Sequence, residues 1–162
     1  PGQDIIISEE KIRGYRNFAN KLWNIHRFIQ MKAANVSEAA PATYTPEDKK
    51  RLAGLKTLVK RTTSDLERFR FHHAAERLYH YAWHTFADEI IESTKPRLDG
   101  KDGRDRAAAS ALLLEIHSIL LKLLHPFMPF ITEELWGHLR PVKRQTSNVK
   151  SLLMIEPWPN SK

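Results

Sequence analysis

The sequence predicts an all-α fold, a bundle of four long helices with a short fifth helix and an extended C-terminal tail. Apolar residues recur at helical spacing through four long segments. The last of these, over residues 104–124, is apolar on nearly every side, as is typical of a helix in the middle of a bundle. No β-hairpin pattern accompanies them. With 162 residues, the chain has the length of a single domain, with the bundle over residues 8–139 and a linker and tail over residues 140–162.

The first two predicted helices have clear start signals. Ser8 is a suitable N-cap for a helix that ends near residue 34, since two glutamates follow in the first turn. After a loop over residues 35–45, Thr45 caps a second helix, with Pro46 at its first position and Asp48 three residues after the cap. This helix is expected to end near Phe69. The expected core positions are Tyr15, Phe18, Leu22, Ile25 and Ile29 in the first helix and Leu52, Leu55, Leu58, Val59 and Leu66 in the second.

The remaining elements are delimited by prolines and a polar turn. A third helix is expected from residue 72 to residue 93, because Lys95-Pro96 biases the chain out of the helical region. Its expected buried positions are Ala75, Leu78, Ala82, Phe86 and Ile90. A polar turn over residues 99–103 precedes the fourth helix, over residues 104–124. Pro126 and Pro129 form a corner, the short fifth helix ends near residue 139, and residues 151–159 are expected to lie extended against the bundle.

The composition narrows the functional classes. A formal net charge of +7 and an isoelectric point near 9.7 favour a polyanionic partner. Nucleic acid is preferred over a membrane surface because the basic helices have their apolar faces in the core, and a basic surface without a partner is the alternative. The absence of cysteine excludes disulfides and thiolate metal sites. With no apolar run of about 18 residues and no secretory signal, a cytoplasmic protein without a membrane partner is expected.

One face of the first predicted helix carries an unusual set of polar side chains, which we call the polar stripe: Arg13, Asn17, Asn20, Asn24 and Arg27. Asparagine is a poor helix former, so three on one face require a reason. A carboxamide offers a donor and an acceptor side by side, which matches the edge of a base, and arginine adds phosphate contact and a stacking plane. Lys21 and Phe28 flank the stripe. The alternative is that these amides bind neighbouring helices or another domain.

The junction between the second and third predicted helices, residues 68–73, alternates cations with aromatic rings. This composition suits stacking and phosphate contact on single-stranded RNA. The alternative is that Phe69 and Phe71 enter the core while the arginines extend to solvent. Lysines and arginines over residues 49–61 indicate a solvated face that would add salt-sensitive attraction.

The sequence contains no recognisable active site. His72, Glu76, His80 and His84 step by four along one helix, but this is neither the zinc-protease spacing nor the pattern of di-iron bundles. A glycine-rich phosphate loop and a Gly-x-Ser-x-Gly motif are both absent from the sequence. No catalytic and no metal-binding residue is predicted.

Four strings of the sequence, in order, resemble one protein family. They are Gly2-Gln3-Asp4-Ile5, the run from Phe18 through Asn20-Lys21-Leu22-Trp23-Asn24 to Arg27-Phe28, the run from Ala74 to Lys95-Pro96-Arg97-Leu98, and the corner His125-Pro-Phe-Met-Pro-Phe-Ile-Thr-Glu-Glu-Leu-Trp136. Together they resemble the helical anticodon-binding domain of the class I aminoacyl-tRNA synthetases. The Asn-Lys-x-Trp-Asn run resembles the valyl members most.

The resemblance implies recognition of a tRNA anticodon within an enzyme that attaches valine to tRNA with ATP and Mg²⁺. Because the chain begins with Pro1-Gly2 rather than Met and lacks the family's two signature motifs and its editing domain, we expect a non-catalytic, monomeric fragment without cofactors. Residues 1–7 would link it to its own catalytic domain. The candidate anticodon-binding residues are Arg13, Arg16, Asn17, Asn20, Lys21, Asn24, Arg27, Phe28, Tyr44, Arg70 and Phe71.

Two alternatives remain open. Within the family, a leucyl or isoleucyl member would share the bundle, although such members usually lack the run around Asn20. Outside it, the chain would be a basic helical module that docks on a protein rather than on RNA. Salt distinguishes the second alternative, because RNA binding weakens steeply as salt rises.

Overall fold

Helices form nearly all of the chain that the structure describes, a computed structural model covering residues 8–33, 43–139 and 152–160. The elements are α1 (Glu9–Ala33), α2 (Pro46–Glu67), α3 (Phe71–His80), the π-helical segment π1 (Tyr81–Ile91), α4 (Glu92–Leu98), α5 (Gly103–Leu124), α6 (Pro129–His138) and a 3₁₀ turn (Leu153–Ile155). No strand occurs in these described ranges, and the all-α prediction is confirmed. The predicted link, most of the predicted 35–45 loop and residues 140–151 lie outside the described residues.

The predicted start of α2 is confirmed by its hydrogen bonds. Asp48 N donates to Thr45 Oγ1 at 3.1 Å, and Thr45 N donates to Asp48 Oδ2 at 3.0 Å, which is a complete capping box with Pro46 in the first turn. At the start of α1, Lys11 N donates to Ser8 Oγ at 3.3 Å. The end of α2 differs from the prediction, because the helix stops at Glu67 and Phe69 belongs to the turn that follows.

The third long helix, residues 71–98, joins α3, π1 and α4 without a break. Every fourth residue of it is buried: Ala74, Leu78, Ala82, Phe86, Ile90, Thr94 and Leu98. A repeat of four advances about 40° per step around an α-helix, so over six steps the apolar positions would move from one face to the other. Bonds from i to i+5 place more residues in each turn. The π turns over residues 81–91 therefore keep this repeat directed at the core.

The expectation that Lys95-Pro96 ends this helix is wrong, since α4 continues through Pro96 to Leu98. A proline removes only one backbone hydrogen bond, and the residues after it are held by tertiary contacts. Leu98 is buried. Arg97 donates to both carboxylate oxygens of Asp48 at 2.8 and 3.0 Å and to Asp105 at 2.7 Å. Burial alone would raise the pKa of Asp48, but hydrogen bonds from Arg97 and Thr45 hold it below its usual value.

The core lies around α5, as its sequence predicts. Its fully buried residues include Leu112, Leu113, Ile116 and Leu121, and it contacts α1, α2, α3, π1, α4 and α6. By length and composition alone α5 could cross a membrane, although the sequence analysis predicted no membrane span. However, 61% of its most apolar window is buried inside the bundle. Burial of this kind is that of a core helix.

The N-terminal turns of α1 depart from the prediction, whereas the C-terminal tail packs against the bundle as expected, with a 3₁₀ turn in part of the segment expected to be extended. Residues 9–17 are exposed on all sides, and Tyr15, expected in the core, is 71% exposed. In the tail, Leu153 is buried, and its backbone N–H donates to Glu133 at 2.8 Å. Trp158 Nε1 donates to Thr63 Oγ1 at 2.8 Å, so the tail packs on α2 as well as on α6.

The helix α1 runs parallel to the third long helix. In their contacts, the residue numbers of the two helices increase together. The ring centroids of Phe18 and Tyr79 are 4.9 Å apart, Lys21 pairs with Asp88 at 2.9 Å, and Lys32 pairs with Asp99 at 2.6 Å. The start of α1 and the α2–α3 junction therefore lie at the same end of the bundle. This arrangement positions the two surfaces singled out in the sequence.

Candidate nucleic-acid interface

The polar stripe lies on the solvent side of α1. Its five residues span about 80° of arc at 100° per residue, and all five are exposed, as is Arg16 beside them. Directly opposite, Phe18, Leu22, Ile25 and Ile29 are buried in the core. The core side of α1 thus fixes the helix against the bundle, while the asparagines and arginines remain available to a ligand.

The alternative in which the amides bind neighbouring helices is wrong for the described part of the chain. Within those residues, Asn17, Asn20 and Asn24 form no side-chain hydrogen bond, and Arg13, Arg16 and Arg27 form no ion pair. The carboxamide donors and acceptors and the guanidinium groups are therefore unoccupied by the bundle itself. Packing and hydrogen bonding within the described bundle therefore do not explain why three asparagines occur in this helix.

The two residues that flank the stripe are fixed by the bundle. Lys21 Nζ pairs with Asp88 at 2.9 Å and lies 5.2 Å from the centroid of the Trp83 ring. Phe28 packs partly buried against the core, with Lys95 Nζ 5.8 Å from its centroid. Asp88 keeps a pKa below its usual value because of its hydrogen bond from Lys21. These side chains form a fixed border between α1 and the third long helix.

The α2–α3 junction exposes its aromatic rings, so the alternative in which they enter the core is wrong. Phe69 is 80% exposed and Phe71 is 53% exposed. Their ring centroids are 6.0 Å apart and the rings are nearly perpendicular, at 85°. Phe69 has a φ of 57°, in the left-handed region that a phenylalanine disfavours.

A buried carboxylate holds the junction in place. Arg70 and Arg77 both donate to Asp65 at 2.9 Å, and Arg70 N donates to the Asp65 backbone carbonyl at 2.8 Å. The hydrogen bond from Arg77, followed by the charges of Arg77 and Arg70, keeps the pKa of Asp65 below its usual value. Arg70, a predicted site residue, is thus ordered but still half-exposed.

Tyr44 is the candidate site residue of the predicted 35–45 loop that the structure describes. Its side chain is bonded to the bundle. Its hydroxyl donates to Glu115 Oε2 at 2.8 Å, and burial together with that carboxylate raises its pKa. Residues 35–42, which were expected to close over the ligand with it, lie outside the described residues.

The structure adds residues that sequence reasoning missed as part of this surface. Tyr79, His80 and His84 are exposed on the third long helix next to α1, and Trp83 between them is half-buried. The rings of His80 and His84 are 5.5 Å apart, and those of Tyr79 and Trp83 are 5.6 Å apart. The sequence signal was the helical spacing of these rings, of which only His80 and His84 were assessed, as metal ligands with His72 and Glu76. Among the described residues, no group of three or more His, Cys, Asp or Glu side chains could hold a metal ion.

A histidine pair in the core is not available for surface chemistry. His26 Nδ1 and His117 Nε2 are 3.0 Å apart, and both residues are buried. Burial, followed by the charge of a neighbouring histidine, lowers the pKa of His26 to about 4 and that of His117 to about 3. Both are therefore neutral at pH 7 and share one hydrogen bond inside the bundle.

Comparison with known proteins identifies the family of the chain. The family described as "Anticodon-binding domain of tRNA ligase" matches residues 48–162. The valine–tRNA ligase of Carboxydothermus hydrogenoformans is 39% identical over 165 residues, covering 100% of this chain and 18% of that protein. Those of Geobacter sulfurreducens and Rhodopseudomonas palustris are 40% and 36% identical, covering 99% and 97% of this chain and 18% and 16% of the relatives.

The chain spans less than a fifth of the length of these relatives. The resemblance to the valyl members is confirmed over nearly its whole length, including α1, which precedes the segment matched by the family. The chain belongs to the anticodon-binding domain family of the tRNA ligases.

Proposed function

We propose that this chain recognises the anticodon of valine tRNA as the anticodon-binding domain of a valine–tRNA ligase. The observation that carries the proposal is the polar stripe, which exposes three carboxamides and two guanidinium groups without a partner in the described bundle. Edges of unpaired bases and phosphates are the ligands that such groups bind. The net charge of +7 supports the same partner.

In the proposed complex, the anticodon loop unstacks along α1. Asn17, Asn20 and Asn24 hydrogen-bond to base edges, while the arginines from Arg13 to Arg27 contact phosphates or stack. Lys21 and Phe28 border the bases on the side of the third long helix, and Arg70 and Phe71 lie at the end of the bundle where the stripe begins. Tyr44, which precedes the start of α2 and is bonded to Glu115, is a separate candidate contact. Valine anticodons share a middle A and a final C, so discrimination concentrates at these two bases.

The parent enzyme would activate valine with ATP and Mg²⁺ in the cytoplasm, as a monomer without a membrane partner, and the present chain would bind no cofactor. The first turns of α1 would contact the catalytic domain of the same protein. Ile12 and Tyr15, which are 57% and 71% exposed, favour a protein contact at that position.

The test is a pair of titrations of the chain with a valine anticodon stem-loop and with the same loop carrying a replaced middle A and final C. Asn20→Ala is expected to lower the affinity for the valine loop about 5- to 150-fold, the range of one bidentate base contact. It should leave the affinity for the replaced loop nearly unchanged. Arg27→Ala should weaken binding to both loops and reduce the salt dependence.

Arg106→Ala is the matched control, since Arg106 is an exposed cation on α5 that belongs neither to the polar stripe nor to the basic run over residues 49–61. Wild-type affinity in Asn20→Ala and Arg27→Ala alike would contradict the proposed site. Binding that does not change with salt would instead favour the second alternative, a module that docks on a protein through an apolar surface.

A further inference from the structure

The α2–α3 junction contains a phenylalanine that neither its backbone nor burial stabilises. Phe69 follows the C-cap of α2 with a φ of 57°, a position where glycine is the common residue. Its side chain is 80% exposed. A residue held in a disfavoured conformation with its apolar ring in water indicates a role in contacting a ligand.

The two rings of the junction form an open apolar corner. Phe69 and Phe71 meet at 85° with centroids 6.0 Å apart, and each keeps most or about half of its surface exposed. The corner is fixed, because Phe69 N donates to the Leu66 carbonyl at 3.0 Å and Arg70 is bonded to Asp65 through both main chain and side chain. A flat π-system can therefore stack on Phe69 without reorganising the turn.

The charges around this corner select among flat ligands. Arg68, His72 and His73 are exposed beside the rings, and Arg70 is half-exposed. Residues 68–73 include no acid, and Asp65 beneath them is buried and shared by two arginines. Glu76 is 4.0 Å from His72. An RNA chain complements this surface, because it supplies a flat base and an adjacent phosphate together.

We propose that the α2–α3 junction is a second RNA contact, at which an unpaired base stacks on Phe69 while Arg68 and Arg70 neutralise its phosphates. The proposal rests on the proposed RNA-binding function and adds to it a contact that is independent of base identity, because every base has a π-face. The junction lies at the same end of the bundle as the start of the polar stripe, so one RNA can occupy both.

The experiment compares two variants of Phe69 with the chain, by fluorescence-anisotropy titration with the valine stem-loop and the loop with replaced bases. Phe69→Leu keeps the backbone strain and removes the ring, whereas Phe69→Gly removes both. Each is expected to lower the affinity for both loops by the same factor, about 5- to 100-fold. Phe69→Gly should also raise the melting temperature by about 2–8 °C, since the left-handed conformation is then unstrained.

Phe130→Ala is the control for loss of an exposed ring, since Phe130 is 92% exposed on α6. It should leave both affinities unchanged. Unchanged affinity in both Phe69 variants would overturn the proposal, and so would a loss confined to the valine loop, which would place Phe69 among the base-specific contacts. If Asn20→Ala has no effect while the Phe69 variants weaken both loops, the base-recognition proposal fails and this one stands.

Discussion

The buried histidine pair predicts a specific loss of stability at mildly acidic pH. His26 and His117 lie 3.0 Å apart in the core between α1 and α5, and His138 on α6 approaches the His26 ring to 6.1 Å. Charging either ring would place a cation among apolar side chains next to another histidine. We therefore expect the folded state to exclude protons that the unfolded chain binds.

The magnitude follows from the pKa values. Those of His26 and His117 are lowered from 6.5 to about 4 and about 3. Because the folded-state values lie below the unfolded one, stability is complete above pH 6.5 and is lost as the pH falls toward these values. At pH 5 the linkage amounts to about 2 kcal/mol for each ring, and about 4 kcal/mol for the pair if the two titrate independently.

The assay is urea unfolding at pH 7.5 and pH 5.0 for the chain and for the double variant His26→Leu, His117→Leu. The double variant replaces both hydrogen-bonding partners by apolar groups of similar size, so its stability at pH 7.5 should change little. Its loss between the two pH values should be smaller than that of the chain by about 4 kcal/mol. His72→Gln, at a side chain that is 87% exposed, should keep the original pH dependence. An equal pH loss in chain and double variant would refute the reasoning.

Three further substitutions test the packing. Arg97→Met removes the bidentate partner of buried Asp48 and should cost about 3–5 kcal/mol, or roughly 6–20 °C in melting temperature; a change below 1 kcal/mol would contradict the inferred role of this pair. Tyr81→Phe removes a buried hydroxyl that has no hydrogen-bond partner among the described residues, so urea unfolding should show equal or higher stability, and a clear loss would mean that the hydroxyl is bonded. Trp158→Phe removes the hydrogen bond to Thr63 and should cost about 0.5–1.5 kcal/mol; unchanged stability would show that this bond does not stabilise the fold.

The parts of the fold that local chemistry determines could be predicted from the sequence. Thr45, Pro46 and Asp48 specify the start of α2, and the central position of α5 in the core follows from its apolar composition. The continuation of the third helix through Pro96 could not be predicted, because it depends on the pairing of Arg97 with Asp48, 49 residues earlier. The four-residue repeat from Ala74 to Leu98 was a signal for wider helical turns that the sequence analysis did not use.

The candidate site was predicted in part. Helical spacing places Asn17, Asn20 and Asn24 on one face, and the structure adds that this face is exposed. The spacing did not show that the first turns of α1 extend beyond the core, which is why Tyr15 was assigned to the interior. The exposure of Phe69 and Phe71 was one of two interpretations that the sequence left open, whereas the positive φ of Phe69 could not be predicted because its residue type disfavours it.

The measurement that tests the central claim most directly is the ratio of two dissociation constants for the unmodified chain. One is for the valine anticodon stem-loop and the other for the same loop with the middle A and final C replaced, both at moderate salt. Recognition of these two bases by the polar stripe predicts at least about a 10-fold preference for the valine loop, a lower figure than two full base contacts would give. Equal affinity for the two loops, or no binding at low salt, would contradict anticodon recognition by this chain.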